Sequence, residues 1–252
     1  MMTADLDKVN QQGASLTREE VSAVLCQDVW MRFGAAYALV GVTARFERAT
    51  PTIISGPNAS GKSTLLSIVA GLLRPSEGSV LFFGSQGPLA RDKIRDKLSF
   101  FGQGAVVYQD MPAADNLLFH ARVCGLTSPM AHSRSLLEEM GIDWQDPKPC
   151  GQMSHGQRRR VGLARALLTD PEILLLDEPD SGLDRASRIR LAQLLMRKAQ
   201  RAVVVVASHD ELLCAHMDAQ VIELDDGRVK TADTSSSRQG KQGTGDVPGA
   251  GH

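Results

Sequence analysis

Gly56-Pro-Asn-Ala-Ser-Gly-Lys-Ser63 follows the apolar run Thr52-Ile-Ile-Ser55 and runs into Lys62 to Leu73, where apolar residues recur at helical spacing. The stretch matches the phosphate loop G-x-x-x-x-G-K-[ST], and it lies where that pattern has physical meaning, after a strand and at the start of a helix. Glycines let the backbone curl so that its N–H groups converge on an anion, and the helix N-terminus adds partial positive charge at the same place. Gly56, Pro57, Asn58, Ala59, Ser60, Gly61, Lys62, Ser63 and Thr64 are therefore expected to hold a nucleotide, read as ATP. Lys62 is expected to reach the β- and γ-phosphates and Ser63 to hold Mg²⁺. A chance Gly-Ser loop is the competing reading, and the register of strand, loop and helix argues against it.

Phosphoryl transfer relies on position and charge, so a metal-binding carboxylate and a group that orients water are needed next. Asp177 ends the apolar run Glu172-Ile-Leu-Leu-Leu-Asp177, and Glu178 follows it. Side chains alternate along a strand, so at its exit the two acids can take different tasks. Asp177 is expected on the metal and Glu178 towards the attacking water as general base. Two acids after four aliphatics could also form a solvated turn, a reading that the phosphate loop displaces.

A third run, Ala202-Val-Val-Val-Val-Ala207, has the same character of a strand buried on both faces. Gly156 to Leu168 and Arg185 to Gln200 read as helices between these strands. The alternation predicts an α/β fold with a largely parallel sheet wrapped by helices. From about Pro112 to Gln152 apolar residues recur at helical spacing, broken at Thr127-Ser-Pro129 and Asp146-Pro-Lys-Pro149, which predicts a small helical insert. Residues 1–20 are polar and mixed in charge, and 231–252 are rich in Ser, Gly and Gln; both are expected to be disordered ends around a single domain over 21–230. No internal repeat is present, so one unit is expected and not two in tandem.

The chain has 252 residues, 42% of them hydrophobic, enough for one sizeable core and too few for a second full domain. A formal net charge of -1 gives no electrostatic footprint for a polyanion, so nucleic acid is a poor partner. No signal-peptide pattern opens the chain, and the longest apolar runs fall far short of the roughly 18 residues that span a bilayer, so a protein soluble by itself is expected. Cys26, Cys124, Cys150 and Cys214 form no C-x-x-C pair and read as reduced, small apolar residues.

From Leu25 to Val229 the sequence resembles the ABC ATPase family. Met153-Ser-His-Gly-Gln157 is similar to that family's L-S-G-G-Q signature, and Asp177-Glu-Pro179 follows at the usual spacing. The resemblance implies a P-loop NTPase fold with an antiparallel N-terminal β portion, and two cassettes, expected as a homodimer, closing head to tail so that each signature caps the other's γ-phosphate. Ser154, Gly156 and Gln157 would supply those contacts, and the residue types agree, a hydroxyl and a bare N–H at a helix N-terminus. His155 replaces the first central glycine; it is expected to point away from the nucleotide, the competing idea being a pH-dependent charge beside the phosphate.

The remaining positions carry over one at a time. Phe33 resembles the aromatic that stacks on adenine, with Trp30 and Tyr37 as competitors. Gln103 resembles the lid-loop glutamine that senses metal and water, since Asp115-Asn116 follow at the spacing where the family shows Glu-Asn, with Gln109 as its rival. Asp184, in Ser181-Gly-Leu-Asp184, resembles the residue of the loop that crosses to the partner, and His209 the switch histidine at the γ-phosphate. The family further implies an ATP-hydrolysing subunit at the inner face of the cell membrane, docked on an integral permease and out of contact with the cargo. Phe101 to Leu126 is similar to the haem-exporter ATPases of cytochrome c maturation, with importers and drug or polysaccharide exporters as alternatives. A soluble ATPase of translation or DNA repair is the reading from another class; the second cassette or long coiled coil usual there is missing.

Overall fold

In chain order the fold comprises strands β1 (Val21–Phe33), β2 (Ala36–Glu47) and β3 (Thr52–Ser55), helix α1 (Lys62–Val69), and strands β4 (Glu77–Gly84), β5 (Gly87–Leu89) and β6 (Leu98–Phe101). Helices α2 (Ala113–Val123), α3 (Met130–Glu139) and α4 (His155–Leu167) follow. Strand β7 (Ile173–Asp177), helix α5 (Arg185–Ala199), strand β8 (Val203–Ala207), helix α6 (Glu211–Ala215) and strands β9 (Gln220–Asp225) and β10 (Arg228–Lys230) complete it. The computed structural model describes residues 19–102, 104 and 107–230. The expectations for 1–18, for 231–252 and for Gln103 lie outside these residues.

Two sheets result. One has the order β10-β9-β3-β8-β7-β6, with every pair parallel except β10 with β9. The other is antiparallel, in the order β2-β1-β4-β5. This antiparallel sheet is more than an N-terminal portion, because β4 and β5 lie beyond the phosphate loop, and β4 returns to pair with β1 while β5 pairs with β4. Their sequence, with few fully buried positions, gave no strand signal of its own.

The aliphatic runs belong to strands buried on both faces, and the period of two divides their side chains between two cores. Ile53, Leu174, Leu176, Val204 and Val206 point into the core shared with α2 to α6. Ile54, Ile173, Leu175, Val203 and Val205 point the other way, to meet α1 and the antiparallel sheet through Leu65, Leu66, Leu39 and Phe46. Between the sheets, the Val21 N–H donates to the Glu172 carboxylate at 2.6 Å. Cys26 sits inside this second core, where burial pushes its thiol up to about 12.

Helix α1 stops at Val69, short of the expected Leu73. Gly71 takes φ +80°, the left-handed conformation that ends helices, and its N–H closes back on the Ile68 carbonyl. The insert holds α2 and α3, then an irregular segment and a turn of 3₁₀ helix at Cys150–Gln152 before α4. Among the described residues no helix is long and apolar enough to cross a membrane.

Leu175 is fully buried between the parallel sheet and α1. Leu175→Ala is expected to cost about 2–5 kcal/mol in urea denaturation, through lost burial plus the cavity left behind; a cost under about 1 kcal/mol would contradict this packing.

Candidate functional site

Strand β3 delivers the chain to Gly56, and α1 removes it at Lys62. The turn between them needs glycine twice. Gly56 has φ +142°, and a Cβ there would lie 2.0 Å from the Leu224 carbonyl oxygen; Gly61 has φ +105°, and its Cβ would lie 2.5 Å from the Ala38 carbonyl oxygen. Ala59 also takes a positive φ, +63°. Pro57, Asn58 and Ala59 are exposed, Ser60 is buried, and Ser63 and Thr64 are half-buried on the first turn of α1. No side chain caps that turn, as at α2 and α3, although Ser154, Asp184 and Asp210 cap α4, α5 and α6. Its first N–H groups are thus left to an external acceptor.

Lys62 is only 5% exposed, and its ammonium donates to the carbonyls of Gly56 (2.8 Å) and Pro57 (2.7 Å). Asp177, 2% exposed at the end of β7, keeps Oδ1 without a hydrogen-bond partner. Burial pushes its carboxyl above the usual carboxylate range, and Glu178 adds to this, while a hydrogen bond from Ser63 and the charges of Arg159 and Lys62 oppose it. An orphaned buried carboxylate oxygen beside a serine hydroxyl is a donor set that a hard divalent cation satisfies, so these residues fit Mg²⁺.

Glu178 has φ +49°, uncommon for a residue with a side chain, and its N–H donates to the Ala207 carbonyl at 2.8 Å. The turn carries the carboxylate away from Asp177 towards the end of β8, where His209 Nδ1 lies 3.6 Å from Glu178 Oε1. Lys62, Ser63, Asp177, Glu178 and His209 thus gather at the carboxyl ends of β3, β7 and β8.

The signature residues occupy the start of α4. Ser154 and Gln157 form a reciprocal cap: the Gln157 N–H donates to Ser154 Oγ (3.2 Å) and the Ser154 N–H to Gln157 Oε1 (2.9 Å). His155 is exposed on the first turn. Gly156 abuts the loop before α5, a Cβ there standing 3.4 Å from the Gly182 carbonyl oxygen. Asp184 caps α5 through the Ser187 N–H at 2.7 Å, a bond that with the Ser187 hydroxyl holds its carboxyl below the usual range.

The three aromatic candidates differ in how they are held. Trp30 donates to Asp28 Oδ1 at 3.0 Å and meets Tyr37 edge to face at 5.9 Å. Phe33 is 52% exposed at the tip of the β1–β2 hairpin, in a strand pair whose Ala38 touches the phosphate loop. Gln103 lies outside the described residues. Gln109 is exposed, and its carbonyl accepts from the Gly151 N–H at 2.7 Å.

Three contributors have roles that went unread in the sequence. Asn116, fully buried, accepts from the Tyr108 N–H (2.7 Å) and places Nδ2 within 3.0–3.1 Å of the carbonyls of Tyr108, Met111 and Pro112, pinning the loop over residues 108–112 that leads into α2. Arg188 pairs with Asp210 at 2.7 Å, steadying the turn after His209. Arg159, in the second turn of α4, reaches the turn after β7. The S-x-x-Q spacing could have announced the cap; Asn116 was marked by its spacing from Gln103 with no sign of this bonding, and Arg159 has no local signal. Beside the pinned loop lies a groove of about 870 Å³ between β6, α2 and α4, lined in part by Phe101, Gly102, His120, Cys124, Leu126 and Arg165.

Residues 39–181 match the model of the ABC transporter family. The sulfate/thiosulfate import ATP-binding protein CysA of Bradyrhizobium diazoefficiens is 32% identical over 79% of the chain and 60% of its own length. The chain thus spans about 60% of the length of that relative. The lipoprotein-releasing system ATP-binding protein LolD of Hyphomonas neptunium is 33% identical over 78% of the chain and 90% of its own length. Among solved structures, a dimeric post-hydrolysis state of an ATP-binding cassette bound to ADP and Pi superposes with a TM-score of 0.71 at 27% identity, over 82% of this chain and 97% of that one.

Asn116→Asp preserves shape but turns a carboxylate oxygen towards three carbonyls. It is expected to cost about 2–4 kcal/mol by thermal or urea denaturation; a neutral substitution would contradict the role assigned to the amide.

Proposed function

The chain belongs to the ABC transporter family of ATP-binding cassettes, and from that membership we propose that it binds ATP with Mg²⁺ and hydrolyses it to drive a membrane permease. One observation carries the reading: Lys62, Ser63, Asp177, Glu178 and His209 converge at one sheet edge beside the uncapped N-terminus of α1.

In this reading the loop 56–63 and Lys62 hold the phosphates, the ammonium exchanging two loop carbonyls for phosphate oxygens. Ser63 and Asp177 hold the metal, with Gln103 or Gln109 approaching from the lid loop. The bound metal supplies charge neutralisation across the phosphate oxygens. Glu178 accepts a proton from water, and His209, in reach of that carboxylate, holds the water and the outer phosphate. Phe33, the candidate not engaged with another ring, stacks on adenine.

Ser154 and Asp184 lie exposed, which suits a second copy closing head to tail on this one. Ser154 and Gln157 are already joined in a cap, so their approach to the partner's γ-phosphate uses Ser154's remaining hydrogen-bonding capacity together with the N–H of Gly156. The groove beside α2 and the lid loop receives the permease, whose docking places the chain at the inner face of the membrane. The cargo does not touch this chain.

For the cargo, the Phe101 to Leu126 segment supports haem export of the cytochrome c maturation type. The sulfate/thiosulfate relative supports a second reading, a small-solute importer. Purification from membranes separates them: cytochrome c assembly proteins with the permease favour the first, a substrate-binding protein the second, and recovery without any membrane protein overturns the transport role.

Lys62→Ala is expected to weaken ATP binding by about tenfold or more, measured by calorimetry; wild-type affinity would contradict the phosphate-loop assignment. Glu178→Gln is expected to retain ATP binding, lose about 10²–10⁴-fold in turnover and accumulate as a dimer in size-exclusion chromatography with ATP. A monomer that turns over freely would remove Glu178 from the role of base.

A further inference from the structure

Arg159 is 5% exposed, an unusual place for a guanidinium, and it reaches groups outside its own helix. Nη2 donates to the Asp177 carbonyl at 3.1 Å and to the Glu178 carbonyl at 2.6 Å. The guanidinium also lies over the Phe101 ring, 5.1 Å from its centroid. Phe101 ends β6 just before the lid loop. One side chain therefore joins the helix that carries the signature, the turn that presents the two acids, and the strand that feeds the lid.

The turn needs such a clamp. Glu178 occupies the left-handed region at φ +49°, which residues with a side chain rarely adopt. Hydrogen bonds from one nitrogen of a buried cation to the carbonyls on both sides of that dihedral hold it in place, and the planar guanidinium, laid over the Phe101 ring, fixes where that nitrogen points in a way an ammonium cannot.

We propose that Arg159 is a positioning residue for ATP hydrolysis: it fixes the Asp177–Glu178 turn against α4 and thereby sets the direction of the Glu178 carboxylate. The inference rests on the reading of Glu178 as general base. Because α4 begins with Ser154 to Gln157, Arg159 also ties the part of this chain that faces a partner's nucleotide to the base that serves its own.

The test compares wild type, Arg159→Lys, Arg159→Gln and Phe101→Leu in the full chain, measuring ATP affinity by calorimetry, steady-state kcat and KM, and thermal melting. Expected are a kcat lowered by about tenfold or more in both Arg159 variants and less in Phe101→Leu, with ATP affinity within about twofold of wild type, since a misplaced catalytic group costs rate and leaves ground-state binding intact. In a Glu178→Gln background, Arg159→Gln is expected to lower kcat no further, because two residues acting through one step are not additive. Wild-type kcat in Arg159→Gln, an additive loss in the double variant, or affinity and melting temperature falling together with kcat in both Arg159 variants each overturns the proposal. A wild-type chain without turnover overturns the underlying reading as well, and is seen before any variant is compared.

Discussion

Burial on both faces of β3, β7 and β8 is the constraint on which everything else depends. Their side chains are committed to two cores, one under α2 to α6 and one under α1 and the antiparallel sheet, so neither face can hold polar chemistry. Only the strand ends remain, and in a parallel ladder the carboxyl ends lie together. The phosphate loop leaves β3, Asp177 and Glu178 leave β7, His209 follows β8, and the lid loop follows β6. The site is a consequence of where polar groups can still be placed.

This explains what was legible. The buried strands read as unbroken aliphatic runs, and each run pointed to its own exit, so the loop at 56–63, the acids at 177 and 178 and the histidine at 209 could be located from sequence. The parallel core and the helices of the insert followed from the same patterns. Strands β4 and β5 were not legible, because the pairing of β4 with β1 and of β5 with β4 is set by tertiary register and only Phe82 and Leu89 are buried in them. Helix α1 was read too long because apolar spacing continues past Gly71, while the backbone there turns left-handed. The bonding of Asn116 and Arg159 escaped for a related reason. Each binds backbone carbonyls, which carry no sequence identity, and Arg159 reaches carbonyls 18 and 19 residues away.

Opposed demands meet at the ends of helices. Helix α4 satisfies its first N–H groups with its own Ser154 and Gln157, and α5 and α6 do so with Asp184 and Asp210, whereas α1, like α2 and α3, has no such cap. A cap on α1 would supply a carboxylate or hydroxyl where an anion is to sit, costing affinity for the ligand while adding about 1 kcal/mol of helix stability. In the proposed reading, leaving the end open places the affinity with the phosphate.

The same comparison separates His155 from Gly156. Neither position has a positive φ, and a side chain at 156 would make only ordinary contact, 3.4 Å from the Gly182 carbonyl oxygen. Packing within this chain therefore does not require glycine at 156, and a glycine inside a helix costs up to about 1 kcal/mol relative to alanine. His155 shows that the preceding position tolerates a large, exposed side chain on the same turn. What a bare Cα at 156 provides is access: its N–H can be approached from outside the chain at the exposed end of α4. That asymmetry, a histidine allowed at one position and no side chain at the next, supports a ligand reaching α4 along the Gly156 side, as a partner's nucleotide would in a head-to-tail pair.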